Sequence, residues 1–490
     1  MRNIVRRPGP YSRHPDALLW GHASRENLCV TQDDEFSSEF SLATFQEERA
    51  MSAVKYAGGF LVTQDPKLGD FYGDLLIEDG RISQVGRNIE ADVPTVDATN
   101  KVLIPGFVDT HRHMWETAIR GVSAWQDWEA YARVVRSGYG GLVTPEDVYA
   151  GDLLGALGAL ESGITTVRDE SHVQNSPEHT EAVLQGLVDA GGRAVLAYGW
   201  PSVDTYAWRE RTGSRRHPRY ITEVLERGNT AGGGLVSFAL MVRGPDLSGL
   251  DATRDDLAFA RSLGLRSSMH IGGRKGGIAA LADNGLLGDD LLYIHACEST
   301  DDEFAMIADS GGTASVSAYI ELAMGIGRPA TGRLLAAGVR PSFSIDAEPS
   351  APADMFSVMR AALMGQMLDE VRGVARPAEK FTEREVLSFA TYEGARACGL
   401  EHELGSLTPG KAADVVVMDL HQAGMASSNE PISAIINQGH PGAVVDVLVA
   451  GRYVKKDGRM CDQALVDRAI LVAEQSRDRL HSKFAELHAS

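Results

Sequence analysis

Between residues 102 and 400, short apolar runs alternate with amphipathic stretches, and this alternation constrains the fold more than any other feature of the chain. The runs are Val102–Val108, Ile164–Val167, Ala194–Tyr198, Val236–Met241, Arg266–His270, Leu291–His295, Ala314–Val316 and Pro341–Ile345. They read as buried strands separated by helices. One helix opens at Thr144-Pro145-Glu146-Asp147, with a capping residue, a proline in the first turn and an acid three residues after the cap. Another opens at Thr382-Glu383-Arg384-Glu385 and is predicted to run to Gly399. Eight strand–helix units over roughly 300 residues predict an α/β fold, a (β/α)8 TIM barrel with its chemistry at the C-terminal strand ends.

The flanks read differently. Residues 51–101 carry short β runs, and Asp79-Gly80 between Leu75-Leu76-Ile77 and Ile82 is a strong hairpin signal. A second β block occupies 404–460, with Ala413–Met418 and Val444–Val449 as its apolar runs. Two β blocks around one α/β block predict a small β-sandwich built from both ends, with the barrel (102–403) inserted. Residues 461–490 read as a closing amphipathic helix, and residues 1–50, polar and without periodicity, as a disordered extension.

Composition narrows the class. The net charge is −20 with no basic stripe, which argues against nucleic acid and anionic membrane as partners. No apolar run approaches the ~20 residues of a spanning helix. Arg2, Arg6 and Arg7 are not followed by the apolar core of a secretory signal. The four cysteines follow no C-x-x-C spacing, against a disulfide framework and for a reducing compartment. The expectation is a cytoplasmic protein acting on a small molecule, as a homo-oligomer.

Metal-type residues gather at the strand ends. Residues 105–113 read P-G-F-V-D-T-H-R-H, and alternate residues of a strand share a face, so His111 and His113 can meet one ion. The fifth strand ends at His270, the sixth at His295, and Asp346 follows the eighth. Three neutral nitrogens and a carboxylate suit one divalent transition metal, zinc before iron, with a position open for water. Such an ion lowers the pKa of its water from about 15.7 towards 7. The loop after the first strand holds Trp115, Trp125 and Trp128, flat walls for a planar ring. Arg120 and Lys275 could meet a substrate carboxylate or carbonyl, and Tyr319 and Glu321 could hydrogen-bond substrate edges.

P-G-F-V-D-T-H-R-H resembles the first-strand motif of the amidohydrolase superfamily, and G-S-L-T-P-G-K-A-A-D-V-V-V (405–417) resembles that superfamily's return into its small β-sandwich. T-A-S-V-S-A-Y-I-E-L-A-M-G (313–325) and S-I-D-A-E-P-S-A-P-A-D-M-F (344–356) resemble the branch of triazine hydrolases, cytosine deaminase and S-adenosylhomocysteine deaminase. The resemblance implies that His111, His113, His270 and Asp346 hold one metal, that His295 hydrogen-bonds the hydroxide or polarises substrate, and that Asp346 takes the nucleophile's proton. The stretch Leu240–Pro245 lacks the lysine of binuclear members, so one metal is expected. Deaminases of this branch usually carry a glutamate three residues after the strand-five histidine. Here that residue is Gly273. Glu298 is the first substitute for that proton carrier and His172 the second, with Glu170 and Glu348 further candidates. The reading is a mononuclear metal-dependent hydrolase of a C–N or related bond in an N-heterocycle or cyclic amide. A metal-dependent lyase is the alternative, and a catalytically dead scaffold a remote third.

Overall fold

The computed structural model describes residues 53–203, 216–227 and 231–489, so the predicted disordered extension lies outside the described residues. Two sheets organise the chain. The first contains β1 (Ala53–Val62), β2 (Asp70–Glu78), β3 (Arg81–Gly86), β4 (Thr95–Asp97) and β5 (Lys101–Pro105) from the N-terminal side. From the C-terminal side come β14 (Val415–Asp419), β15 (Val444–Val449), β16 (Arg452–Lys456) and β17 (Arg459–Met460). The two halves join where β14 pairs antiparallel with β5, Val416 opposite Ile104. The Asp79-Gly80 turn forms as predicted. Both residues have positive φ (48° and 79°), and Glu78 faces Arg81 across the hairpin.

The second sheet is the barrel, eight parallel strands in sequence order: β6 (Phe107–Arg112), β7 (Ile164–Ser171), β8 (Arg193–Tyr198), β9 (Val236–Met241), β10 (Ser267–Ile271), β11 (Leu291–His295), β12 (Thr313–Val316) and β13 (Ser342–Phe343). Closure runs through the active end. Asp346 N–H donates to the His111 carbonyl (2.9 Å), and His113 N–H donates to the Asp346 carbonyl (3.1 Å). The backbone at His111, His113 and Asp346 is thus the seam of the barrel.

Two sequence expectations are corrected. The run Val102–Val108 is not one strand: it splits at Gly106 into β5 of the small sheet and β6 of the barrel. A Cβ on Gly106 would stand 2.0 Å from Thr165 Oγ1, so only glycine lets the chain pass from one sheet to the other there. The helix predicted from Thr382 to Gly399 is two, Glu383–Phe389 and Tyr392–Ala397, broken at Thr391. The helix Pro145–Glu161 has its predicted Thr144 cap, reciprocated by Asp147, and the closing helix spans Gln463–His488. At the N-terminal end of the barrel, Arg193 grips Asp414 through two hydrogen bonds (3.0 and 3.1 Å), tying β8 to the small sheet.

Candidate metal centre and cleft

β6 turns His111 and His113 to one side, and their rings stand 4.7 Å apart, edge to face. His270, near the end of β10, lies 4.7 Å from His111, and His295, the last residue of β11, lies 5.6 Å from His270. Asp346 stands among them. Its Oδ1 is 3.1 Å from His111 Nε2 and 3.5 Å from His113 Nε2, and its Oδ2 is 3.6 Å from His295 Nε2. Ligand atoms of His111, His113 and His270 fall within 4.8 Å of one another, as do those of His111, His295 and Asp346.

The backbone is strained where these groups are presented. His295, Ala296 and Asp346 all have positive φ (72°, 54° and 70°), conformations that cost about 1–3 kcal/mol each away from glycine. Gly272, after β10, meets that turn directly: a Cβ there would lie 2.3 Å from Ala296 Cα. The glycine-rich stretch after His270 therefore begins as a close-packing device between two strand ends.

The electrostatics suit a cation. Burial, reinforced by the neighbouring imidazoles, holds His113 and His270 well below the usual histidine range, so both are neutral. Burial works against ionisation of Asp346, but His111, His295 and His113 outweigh it and hold the carboxyl well below its ordinary range. His295 moves the other way. Burial disfavours its charge, yet the bond to Glu321 and the nearby Asp346 outweigh that and raise it. Neutral nitrogens around an ionised carboxylate are the state in which these ligands bind a metal.

Supporting contacts fix the rings. His113 Nδ1 hydrogen-bonds the Glu170 carbonyl (2.8 Å), leaving Nε2 for the centre. His295 Nδ1 pairs with Glu321 Oε1 (3.2 Å), which also accepts from Ser317 N–H (2.9 Å). Arg112, between the two histidines, is fully buried and clamped by Glu348, whose Oε1 also accepts from Thr117 (2.9 Å).

A cleft of about 490 Å³ opens onto His270 and His295. Trp128, Leu247, Met324 and Ile326 give it apolar walls, while Asp127, Glu129, Arg136, Asp246 and Arg274 supply charge. Gly273 is part of the lining, and its N–H donates to Asp246 Oδ2 (2.8 Å).

Most residues expected on the substrate side lie outside this cleft lining. Trp115 is buried (1% exposed), packs against His172 and is not in the cleft lining; among the described tryptophans Trp128 lines it. Arg120 pairs with Glu348 and lines a separate groove beside the closing helix. Glu321 supports His295 rather than facing the cleft, and neither half-buried Tyr319 nor exposed Lys275 lines it. Of the proposed proton carriers, Glu298 has an exposed side chain outside the lining, and its backbone N–H is held by Gly272. His172 is buried behind His113, rings 4.2 Å apart, and burial keeps it well below the histidine range. Glu170 is paired with Arg168 and Glu348 with Arg112. The sequence reading missed Arg136 and Asp246. Asp246 lies one residue past the Leu240–Pro245 stretch in which the lysine of binuclear members would fall, and Arg136 sits in a segment without periodicity.

Comparison with known proteins agrees with this geometry. Residues 102–454 match the model of the amidohydrolase family. The 5-methylthioadenosine/S-adenosylhomocysteine deaminase of Symbiobacterium thermophilum is 28% identical over 79% of this chain and 89% of its own. The 5'-deoxyadenosine deaminase of Methanosarcina mazei is 26% identical over 88% of this chain and its own entire length (100%). Among solved structures, a zinc-bound adenosine deaminase from Xanthomonas campestris superposes with a TM-score of 0.75 at 22% identity, covering 88% of this chain and 98% of that one. Atrazine chlorohydrolase from Arthrobacter aurescens, complexed with zinc, gives 0.73 at 20% identity, over 86% and 100%. The chain belongs to the amidohydrolase family and is a hydrolase of carbon–nitrogen bonds other than peptide bonds.

Proposed function

We propose that His111, His113, His270 and Asp346 hold one divalent transition metal, zinc before iron, and that the enzyme hydrolyses a C–N or related bond of an N-heterocyclic or cyclic amide small molecule. The carrying observation is the pair of triads sharing His111, each with its ligand atoms within 4.8 Å, in which His113 and His270 are held neutral and Asp346 ionised. A bound ion would supply the Lewis acidity that makes water nucleophilic near neutral pH. Asp346 takes the proton of the attacking water. His295, steadied by Glu321 and raised towards its charged form, donates a hydrogen bond to the negative charge developing on the substrate.

The departing group needs a proton as well. Gly273 cannot supply it, but Asp246 stands on the same loop pair: it bonds the Gly273 N–H and lines the cleft with His270. Asp246 is the carboxylate best placed to serve the leaving group, ahead of exposed Glu298 and of His172 behind the ligands.

Metal analysis of the purified protein should find about one ion per chain. Activity should be sought as ammonia, amine or halide release from a panel of aminated, amide and halogenated heterocycles. Two ions per chain, or turnover that survives full metal removal, would refute this assignment. Deamination is the reading closest to the named relatives, and ammonia release tests it.

The homo-oligomer expectation gains support from one stripe. Met364, Met367, Leu368 and Val371 follow the i, i+3, i+4, i+7 spacing on the helix Met355–Val371, and all are exposed (70%, 56%, 43% and 82%). Light scattering on Met367→Glu should show smaller particles than wild type.

A further inference from the structure

The cleft lining holds a buried cation with no ion-pair partner among the described residues. Arg136 is 4% exposed and lines the cleft together with His270 and His295. Its Nε has no hydrogen-bond partner, and its guanidinium forms no ion pair with any described residue. The other large buried arginines are all matched: Arg112 by Glu348, Arg168 by Glu170, Arg243 by Asp256 and Arg193 by Asp414. A buried charge without a partner is costly, so an isolated one at the base of an open cleft calls for a ligand to complete it.

The charges around Arg136 do not fill that role. Asp127 and Glu129 are exposed on the rim, and Asp127 already accepts from Ala130 N–H. Asp246 is engaged by Gly273 N–H and by Arg274 (3.3 Å). Glu116, deeper in, accepts from Tyr131 (2.6 Å) and forms no ion pair with Arg136; burial pushes its carboxyl well up, outweighing the opposing pull of Tyr131 and of Arg136. The backbone is also shaped at this point. Ser137 N–H donates to the Ala132 carbonyl (3.0 Å), an i→i−5 bond that widens the turn Ala132–Arg136 into a single π turn. Such turns recur where a side chain is re-aimed at a functional site.

We infer that Arg136 is the anchor for an anionic oxygen group on the substrate, a carboxylate carried by a planar heterocycle. The ring would lie against Trp128, Leu247, Met324 and Ile326, with the fork of the guanidinium meeting both carboxylate oxygens. This rests on the proposed hydrolase site, since it assigns the substrate class of that same cleft. It also runs against the chain's net charge of −20, which by itself favours a cationic substrate.

The test uses matched pairs of probes on the metal-loaded protein: pyrimidine-4-carboxylate against pyrimidine-4-carboxamide, and nicotinate against nicotinamide, by calorimetry. Wild type should bind each carboxylate at least ~10-fold more tightly than its amide. Arg136→Gln should abolish that preference while leaving amide binding and metal content unchanged, and Arg136→Lys should keep part of it. No preference in wild type overturns the proposal without recourse to any variant. So does a preference that survives Arg136→Gln, which would place the carboxylate on the metal instead. Metal content measured on the same samples separates the two claims: a metal-free wild type refutes the hydrolase site, whereas a metal-loaded one without carboxylate preference refutes only the role of Arg136.

Discussion

The small sheet and the active end of the barrel are built on opposite rules. The small sheet buries Val54, Leu61, Leu75, Ile77, Leu103, Val415, Val417 and Leu448 as one apolar cluster. Among its described residues only Gln64, in the turn after β1, has a buried side-chain atom without a hydrogen-bond partner. The active end holds His111, Glu116, Arg136, Asp152, Asp169, His172 and half-buried His270, and every one of these carries such an atom. Buried polar groups are normally paired because an unpaired one costs about 1–3 kcal/mol. One region therefore stabilises the fold, while the other spends part of that stability to keep charges and lone pairs available.

Substitutions should separate the two. The largest effect belongs to the centre: His111→Ala or Asp346→Ala should lose metal and activity together, while circular dichroism shows a folded protein. Leu448→Ala, in the small sheet, should do the reverse. It should cost about 2–5 kcal/mol in denaturant unfolding, with kcat per folded molecule unchanged. If Leu448→Ala instead lowered kcat, the division between the regions would fail.

Asp246→Asn sharpens the comparison inside the cleft. It keeps shape but removes a titrating carboxylate, so kcat should fall by about 10²-fold or more with metal content intact. A wild-type rate would return the proton-transfer role to Glu298 or His172, to be tested by Glu298→Gln and His172→Asn.

The smallest effect is one of pH. Asp152 is buried with neither oxygen bonded, and burial together with Asp169 raises its carboxyl well above the ordinary 3.8; Asp169, pushed up chiefly by burial, reaches about 7. A carboxyl raised in the folded state contributes stability that is complete below the unfolded value and is lost as pH rises towards the folded one. Between pH 4 and 7, wild type should therefore lose on the order of 1 kcal/mol per pH unit from such a group. Asp152→Asn should flatten that decline, measured by melting temperature across the range. Parallel profiles for the two proteins would show that Asp152 is ionised when folded.

Much of this molecule was legible beforehand. The strands Val236–Met241 and Leu291–His295 run between the predicted residues, and the residues proposed as ligands converge because each stands at or just beyond the C-terminal end of a parallel strand. Strand periodicity, helix caps and the Asp79-Gly80 turn are local properties, written in neighbouring residues. The sequence alone thus determined the barrel, the small sheet and which five His and Asp residues gather at the strand ends. Only the tertiary structure decided that Trp128 rather than Trp115 lines the cleft, that Glu321 pairs with His295, that Asp246 stands beside Gly273, and that Arg136, unlike Arg112, Arg168, Arg193 and Arg243, has no ion-pair partner among the described residues. Those facts depend on contacts between segments far apart in the chain, and whether a charge is paired or solitary exists only once such segments have met.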